Sequence, residues 1–396
     1  VSRNVLVLNC GSSSIKYQLI DADSGEAHAS GLVEKIGSVD GVVTHKEGAD
    51  SVRIEGAIAD HAVGLTLMRQ AFADAGNDLN DRGVIAVGHR VVHGGTTFTG
   101  PVLIDDTVVA EIGELSVLAP LHNPANLVGI ERAMANFPHL PHVAVFDTAF
   151  FADLPPAAST YAIDHALAAK HGVRRYGFHG TSHSYVSRQA AAFLDRPYGE
   201  LNQIVLHLGA GASVAAIRGG RPVDTSMGMT PLQGLVMATR SGDIDPGALF
   251  HLHRVAGLSV DEIDTLLNRR SGVQGLSGVS DFRDLHRLIG TGDANARLAL
   301  DVWVHRVRAY LGAYYVLLGS VDVISFTAGV GENDARAREL VMADLEGLGI
   351  AVDPARNTAS SREARVISPD GSRVTVLVMP TNEELAIARA TVESID

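Results

Sequence analysis

The stretch Val5-Leu-Val-Leu-Asn9-Cys-Gly11-Ser-Ser-Ser14-Ile-Lys16-Tyr-Gln-Leu-Ile20 decides how the rest of the chain reads. A β-branched apolar run enters, Gly11 and three serines turn the chain, and Ile15, Tyr17 and Leu19 leave in strict alternation. That pattern predicts a β-hairpin. Its turn gathers backbone N–H groups, hydroxyls, the Asn9 amide and the Lys16 ammonium, which are the donors that polyphosphate oxygens accept. A plain hairpin would account for one such turn, but the pattern returns. With Gly209 laid over Gly11, Ile204-Val-Leu-His207-Leu-Gly209-Ala-Gly211-Ala-Ser213-Val-Ala-Ala-Ile217 repeats apolar strand, small-residue turn, apolar strand. Val323-Ile-Ser-Phe-Thr327-Ala-Gly329-Val-Gly331-Glu-Asn333 is a third version without the second strand. Such repeats predict two related halves, each presenting a phosphate-holding loop to a shared cleft.

Composition agrees with that plan. A chain of 396 residues suits two domains, each able to bury a core. Apolar content of 46% and charged content of 19% are those of a soluble globular protein. The net charge of −13 argues against nucleic acid or an anionic membrane as partner, because both call for a basic field. A single cysteine, Cys10, excludes an internal disulfide and fits a reducing compartment. No apolar run approaches a membrane span, and nothing near residue 1 resembles a signal peptide. The expected location is the cytoplasm.

Outward from the hairpin, residues 1–52 read as strands, and residues 57–75 as a helix stopped by Gly76. Gly88-His89-Arg90-Val-Val-His93-Gly-Gly95 ends a buried-type strand in a polar loop. Four-residue spacing of His89 and His93 would suit a metal on a helix, but the flanks here read as strand and turn. Arg90 among apolar neighbours predicts an anionic partner, either a structural carboxylate or a substrate one. Asp147 closes another apolar strand, where active-site carboxylates and plain caps both occur. Pro155-Pro156 marks a domain boundary. Arg174-Arg-Tyr-Gly-Phe-His179-Gly-Thr-Ser-His183 suits an anion-handling loop, with a solvated loop as the plainer alternative. Arg240 stands near Asp243 and Asp245 and would bind either phosphate or those neighbours. Residues 295–318 form the longest helical pattern, with Leu298, Val302, Val304, Val307, Leu311, Tyr314 and Leu318 as its apolar face. Thr381 and Glu384 have capping-box spacing, which would leave Glu383 free to meet a metal ion. No P-loop, protein-kinase loop set or complete dinucleotide fingerprint is present.

Taken together, these stretches resemble the acetate kinase family. The resemblance is carried by Asn9-x-Gly-Ser-Ser-Ser-x-Lys16, Gly88-His-Arg-Val-Val-His-Gly-Gly95, Phe146-Asp-Thr-Ala-Phe150 and Tyr176-Gly-Phe-His-Gly-Thr-Ser-His183. Ser226-Met-Gly-Met-Thr-Pro231, Thr239-Arg-Ser-Gly-Asp-Ile-Asp-Pro246, Phe326-Thr-Ala-Gly-Val-Gly-Glu-Asn333 and Thr381-Asn-Glu-Glu384 follow in order. The match covers essentially the whole chain. The resemblance implies an α/β, two-domain actin-like ATPase (ribonuclease H-like) fold, with duplicated β-sheet cores flanked by helices. Residues 1–150 would form the first domain, with a C-terminal helix from about residue 384 packed back on it, and residues 151–383 the second. It also implies an ATP-dependent enzyme that makes acetyl phosphate and ADP reversibly from ATP and acetate. Its metal would be Mg²⁺, with Mn²⁺ as the alternative, and its state a cytoplasmic homodimer. Carried over position by position, Asn9 and Glu383 would sit around the metal and Lys16 near the phosphates. His207, Leu208, Gly209, Ala210 and Gly211 would hold the β/γ-phosphates. Asp281, Phe282 and Arg283 would take the adenosine, and Gly329, Val330, Gly331, Glu332 and Asn333 the α/β-phosphate side. Arg90 would bind the acetate carboxylate, with Val92, Leu121 and Pro231 around its methyl group. His179 and Arg240 would stabilise the transferring phosphoryl group, with Asp147 as acid/base or orienting carboxylate.

Acetate is already an anion at neutral pH, so its attack on phosphorus needs no base. Positioning and charge neutralisation are then the tasks, and Asp147 is expected to orient Arg90 rather than to take a proton. One departure stands out. The family's loop after His207 usually reads Leu-Gly-Asn-Gly, and here it is Leu208-Gly209-Ala210-Gly211. Loss of that amide predicts weakened activity or altered nucleotide affinity. One methylene discriminates by only about 1–3 kcal/mol, so a propionate or butyrate kinase is the neighbouring alternative. An actin- or chaperone-like ATPase switch is the alternative of another class.

Overall fold

Strands β1 (Asn4–Cys10) and β2 (Ser14–Asp21) pair antiparallel with Asn9 opposite Lys16, and the Gly11 N–H closes the turn on the Ser14 carbonyl at 2.8 Å. In this computed structural model, residues 2–76 and 79–396 are described, the side chains of residues 80 and 81 excepted. The chain forms two units, Val1–Ala152 with Asn382–Asp396, and Asp153–Thr381.

In the first unit the hairpin continues as an antiparallel meander through β3 (Ala27–Glu34), β4 (Ser38–Glu47) and β5 (Asp50–Ile58). On its other side β6 (Val84–Val91) runs parallel to β1, and β8 (His142–Phe146) parallel to β6. The short β7 (Val102–Leu103) closes that edge, giving the order β5-β4-β3-β2-β1-β6-β8-β7. Every residue of β8 is buried, as expected of a parallel strand covered on both faces. Leu6, Leu8, Ile15 and Leu19 pack with Leu65, Met68 and Phe72 of the helix His61–Asp74. Strand β5 runs to Ile58 and Asp60 caps that helix, so it starts later than the apolar spacing from residue 57 suggests. Against β6 lies the C-terminal helix Glu383–Ile395; a Cβ on Gly88 would come within 2.5 Å of Thr391 Oγ1, so only glycine admits that approach.

The second unit repeats the theme. Strands β9 (Asn202–Leu208) and β10 (Ala212–Arg218) form the second hairpin, with Leu208 opposite Ala212. Flanked by β11 (Arg221–Thr225), β12 (Val323–Thr327), β13 (Arg365–Val366) and β14 (Thr375–Val378), they make a sheet of order β11-β10-β9-β12-β14-β13. The third glycine-rich stretch turns from β12 straight into the short helix Ala328–Asn333. The helix Ala294–Leu318 buries Leu300, Trp303, Val307, Leu311, Tyr314 and Leu318. Leu298 and Val302 are 51% and 37% exposed, so they do not belong to its buried face. Apolar residues lie on every side of this helix, and small Ala296 and Ala299 take the buried positions that periodicity gave to larger neighbours.

The expected capping box does not form. Asn382 caps the C-terminal helix by accepting the Leu385 N–H, the Thr381 N–H donates to Glu332, and Glu384 pairs with Lys16. An ammonium in reach outcompetes a local amide for the carboxylate. Among the described residues, no helix is long and apolar enough to cross a membrane.

Candidate active site

In the first unit the candidate residues gather at the ends of β1, β6 and β8. Arg90, the penultimate residue of β6, donates from Nε and Nη2 to the two carboxylate oxygens of Asp147 at 2.9 and 2.7 Å. The Asp147 side chain is 2% exposed and that of Arg90 21%. Burial alone would lower the guanidinium's pKa, but the adjoining Asp147 charge and hydrogen bonds outweigh it, and the net direction is up. Arg90 is therefore a fixed cation whose fork is half occupied and oriented from behind. Two asparagines that sequence reasoning missed hold the neighbouring loop. Asn126 accepts the Val92 N–H at 3.1 Å and donates to the Cys10 carbonyl at 2.7 Å, tying the ends of β6 and β1. Asn123 exchanges two hydrogen bonds with the His93 backbone. Their spacing at the start of the helix Asn123–Asn136 was visible, but their partners are distant in sequence. His89 faces the other way and meets His142, Nε2 to Nδ1 at 2.9 Å. Leu121 is 42% exposed.

Glu383 opens the C-terminal helix beside this group. Burial pushes its carboxyl pKa up; Arg90 opposes the rise, while Asp147 and Glu384 add to it. Among the described residues no cluster of three or more His, Cys, Asp or Glu side chains is placed to hold a metal. A partly buried carboxyl crowded by carboxylates does suit a hard cation completed by phosphate oxygens and water, the usual Mg²⁺ arrangement. With its folded pKa above the unfolded value, Glu383 favours folding at low pH, and that contribution is lost as pH rises through the folded pKa. Glu383→Gln is therefore expected to raise Tm at neutral pH in metal-free buffer; thermal melts at pH 5 and pH 8 check it. A lower Tm at pH 8 than at pH 5 relative to wild type would contradict the assignment.

In the second unit the turn of the β9–β10 hairpin brings His179 and Arg240 together. A Cβ on Gly211 would stand 3.3 Å from His179 Nε2 and 3.7 Å from Arg240 Nη1. His179 holds φ +58°, a left-handed conformation uncommon outside glycine, at the start of the helix Gly180–Phe193. Its Nδ1 lies 2.9 Å from Ser213 Oγ, which lies 2.7 Å from His183 Nε2. Burial, then the nearby His207, pushes the His183 pKa well down, so His183 is neutral. If His183 Nε2–H donates to Ser213, the serine proton goes to His179 Nδ1, and His179 carries its own proton on Nε2 beside Gly211. Ser213 was legible only as a strand residue. His207 stacks on His179 with centroids 4.2 Å apart, and its Nδ1 meets Ser182 Oγ at 2.8 Å. Arg240 Nη1 donates to the Pro231 carbonyl at 3.3 Å. Asp243 and Asp245 are engaged elsewhere, Asp243 by the Gly234 N–H and Tyr310 and Asp245 by the Gly247 N–H.

A cavity of about 530 Å³ lies in the same unit, a size suited to a nucleotide. Of the candidate residues it is lined by Gly209, Ala210, Asp281, Phe282, Arg283, Gly329, Val330 and Asn333. Asp281 caps the helix Phe282–Gly290 and pairs with Arg283 at 2.6 Å, and Phe282 packs edge-on to Trp303. Leu208 and Gly331 are buried, outside that lining. The Glu332 carboxylate accepts the Ala328 and Thr381 N–H groups at 2.8 and 3.1 Å, which ties the helix Ala328–Asn333 to the segment after β14.

Two sheets closed by such loops are shared with solved small-carboxylate kinases. Its structure matches that of Porphyromonas gingivalis acetate kinase with TM-score 0.95 at 43% identity, covering 100% of both chains. It matches a propionate kinase from Francisella tularensis with TM-score 0.93 at 39% identity, covering 99% of both. The sequence is 58% identical to the acetate kinase of Leifsonia xyli over 391 residues, 99% of this chain and 98% of the relative. The Acetokinase family model matches residues 4–389, and the chain belongs to that family.

Proposed function

We propose that this chain is an ATP-dependent acetate kinase, passing the γ-phosphoryl group of ATP to acetate to give acetyl phosphate and ADP, reversibly. The end-to-end match to acetate kinases carries this reading. The first unit supplies the acetate site. Asp147 takes the Nε–Nη2 edge of Arg90, and the Nη1 edge receives the acetate carboxylate. Val92 and Leu121 favour a small apolar substituent. The second unit supplies the nucleotide site. Asp281, Phe282 and Arg283 take the nucleoside; Gly209–Gly211 and Gly329–Asn333 offer backbone N–H groups to the phosphates. His179 Nε2–H and the Arg240 guanidinium stabilise charge on the equatorial oxygens of the transferring group. Lys16 acts near the phosphates, and Asn9 and Glu383 hold Mg²⁺, or Mn²⁺ in its place. The metal, when bound, neutralises phosphate charge. No step takes a proton from acetate, so Asp147 serves by keeping Arg90 aimed.

The enzyme works in the cytoplasm as a homodimer. Supporting the dimer, Leu298, Val302, Ala309, Gly312 and Val316 recur on the exposed side of the helix Ala294–Leu318 at alternating four- and three-residue spacing, interrupted by His305. A monomeric mass in sedimentation equilibrium would overturn that state.

The deciding assay traps acyl phosphate with hydroxylamine across formate, acetate, propionate and butyrate, with ATP and Mg²⁺. The best kcat/KM is expected for acetate, with propionate lower by about tenfold, the effect of one methylene. A longer optimum would move the reading to a propionate kinase, the activity named for the Francisella relative. ATP hydrolysis indifferent to every acid would point to an ATPase switch.

A further inference from the structure

We infer that His286 and Asp334 form a positioning pair that sets nucleotide affinity by fixing two walls of the 530 Å³ cavity against each other. The inference rests on the reading of that cavity as the nucleotide site. His286 lies one helical turn beyond Phe282, on the helix whose N-terminus carries Asp281 and Arg283. Asp334 follows the helix Ala328–Asn333 and caps the next one, Ala335–Met342, by accepting the Ala337 N–H on Oδ1 at 2.9 Å. Its other oxygen, Oδ2, accepts from His286 Nε2 at 2.6 Å. Both side chains line the cavity and both are mostly buried, with 22% and 14% of their surface exposed.

The pair therefore joins the wall proposed for the nucleoside to the wall proposed for the phosphates. The wall proposed for the phosphates is short and irregular: the helix Ala328–Asn333 has six residues and starts at Ala328 with φ +65°. A charge-assisted bond across the floor resists their separation at small cost in side-chain freedom. Asp334 spends one oxygen on each task, so helix capping and wall spacing are coupled through one carboxylate. His286 and Asp334 line the cavity, whereas His179 and Arg240 meet at Gly211, outside that lining, so the pair acts on nucleotide binding and not on phosphoryl transfer.

Asp334→Asn and His286→Ala separate the tasks. Asparagine keeps a capping oxygen for Ala337 and removes the charge that His286 meets. Each variant is expected to raise the KM for ATP and the Kd for ADP by about tenfold, with kcat and the KM for acetate within about twofold of wild type. His286→Gln, whose amide N–H can reach the same carboxylate, should recover most of the loss, and the double variant should be no worse than either single one. Isothermal titration with ADP and steady-state kinetics read both, and thermal melts report folding. Equal loss in kcat and in both KM values, or failure of glutamine to rescue, would overturn the pair's role. Val330→Trp, placed in the cavity wall, tests the underlying site: if it leaves ADP affinity intact, the nucleotide reading of the cavity fails. If it abolishes binding while His286→Ala and Asp334→Asn bind ADP as wild type does, only the positioning pair fails.

Discussion

Arg240→Ala is expected to lower kcat for acetyl phosphate formation by about three orders of magnitude or more, the usual worth of an arginine on a transferring phosphoryl group. The geometry gives the reason. Arg240 Nη1 and His179 Nε2 approach the same face of Gly211, at 3.7 and 3.3 Å from the place a side chain there would occupy. Asp243 accepts from the Gly234 N–H and Tyr310, and Asp245 caps its own helix. In the proposed role, charge that develops on the equatorial oxygens would be met by a cation already in place, without reorganisation during transfer. The loss should appear in kcat at saturating ATP and acetate, with binding of ADP by titration changed by less than about tenfold. Arg240→Lys keeps the charge but not the planar fork and should recover only part of the rate. A kcat within tenfold of wild type for the alanine variant would remove Arg240 from the chemistry.

The second large effect concerns acetate. Arg90→Ala is expected to lower kcat/KM for acetate by about a thousandfold while leaving the KM for ATP near wild type. The change removes the proposed partner of the acetate carboxylate and leaves Asp147, 2% exposed, as an uncompensated buried charge. Some thermal stability is therefore lost as well, and a melt must accompany the kinetics. Added guanidinium should restore part of the activity. Asp147→Asn is the informative companion. It keeps one acceptor for Arg90 Nε but turns a donor toward Nη2, so Arg90 is loosened and not lost. A measurable fraction of activity is expected to remain, about a tenth to a hundredth of wild type. A loss equal to that of Arg240→Ala would mean that Asp147 takes part in the reaction itself.

Much of this site is legible in the residue pattern alone, for a definable reason. Hairpins with small-residue turns are local objects: alternation from Ile15 to Leu19 and the apolar run into Gly209 specify strand, turn and strand within twenty residues. Strand order is not local, and neither is the approach of the C-terminal helix to β6, which depends on Gly88 meeting Thr391. Where short-range and long-range partners compete, sequence reading favours the short-range one and fails. Glu384 has a capping position three residues away, and Lys16 takes it. Leu298 and Val302 fit a helical stripe, and Ala296 and Ala299 are buried instead.

By itself, then, the sequence determined the repeated strand–turn elements, the family, and which side chains are candidates for the chemistry, because each is written in contiguous motifs. Only the tertiary structure decided which of those side chains meet. That Arg90 is gripped from behind by Asp147, 57 positions away, follows from β6 and β8 lying side by side. That Ser213 stands between His179 and His183, and that Asp334 reaches His286, follows from packing of helices on sheets. Hydrogen bonds of this kind depend on distances of a few tenths of an ångström, which residue spacing along a chain does not encode.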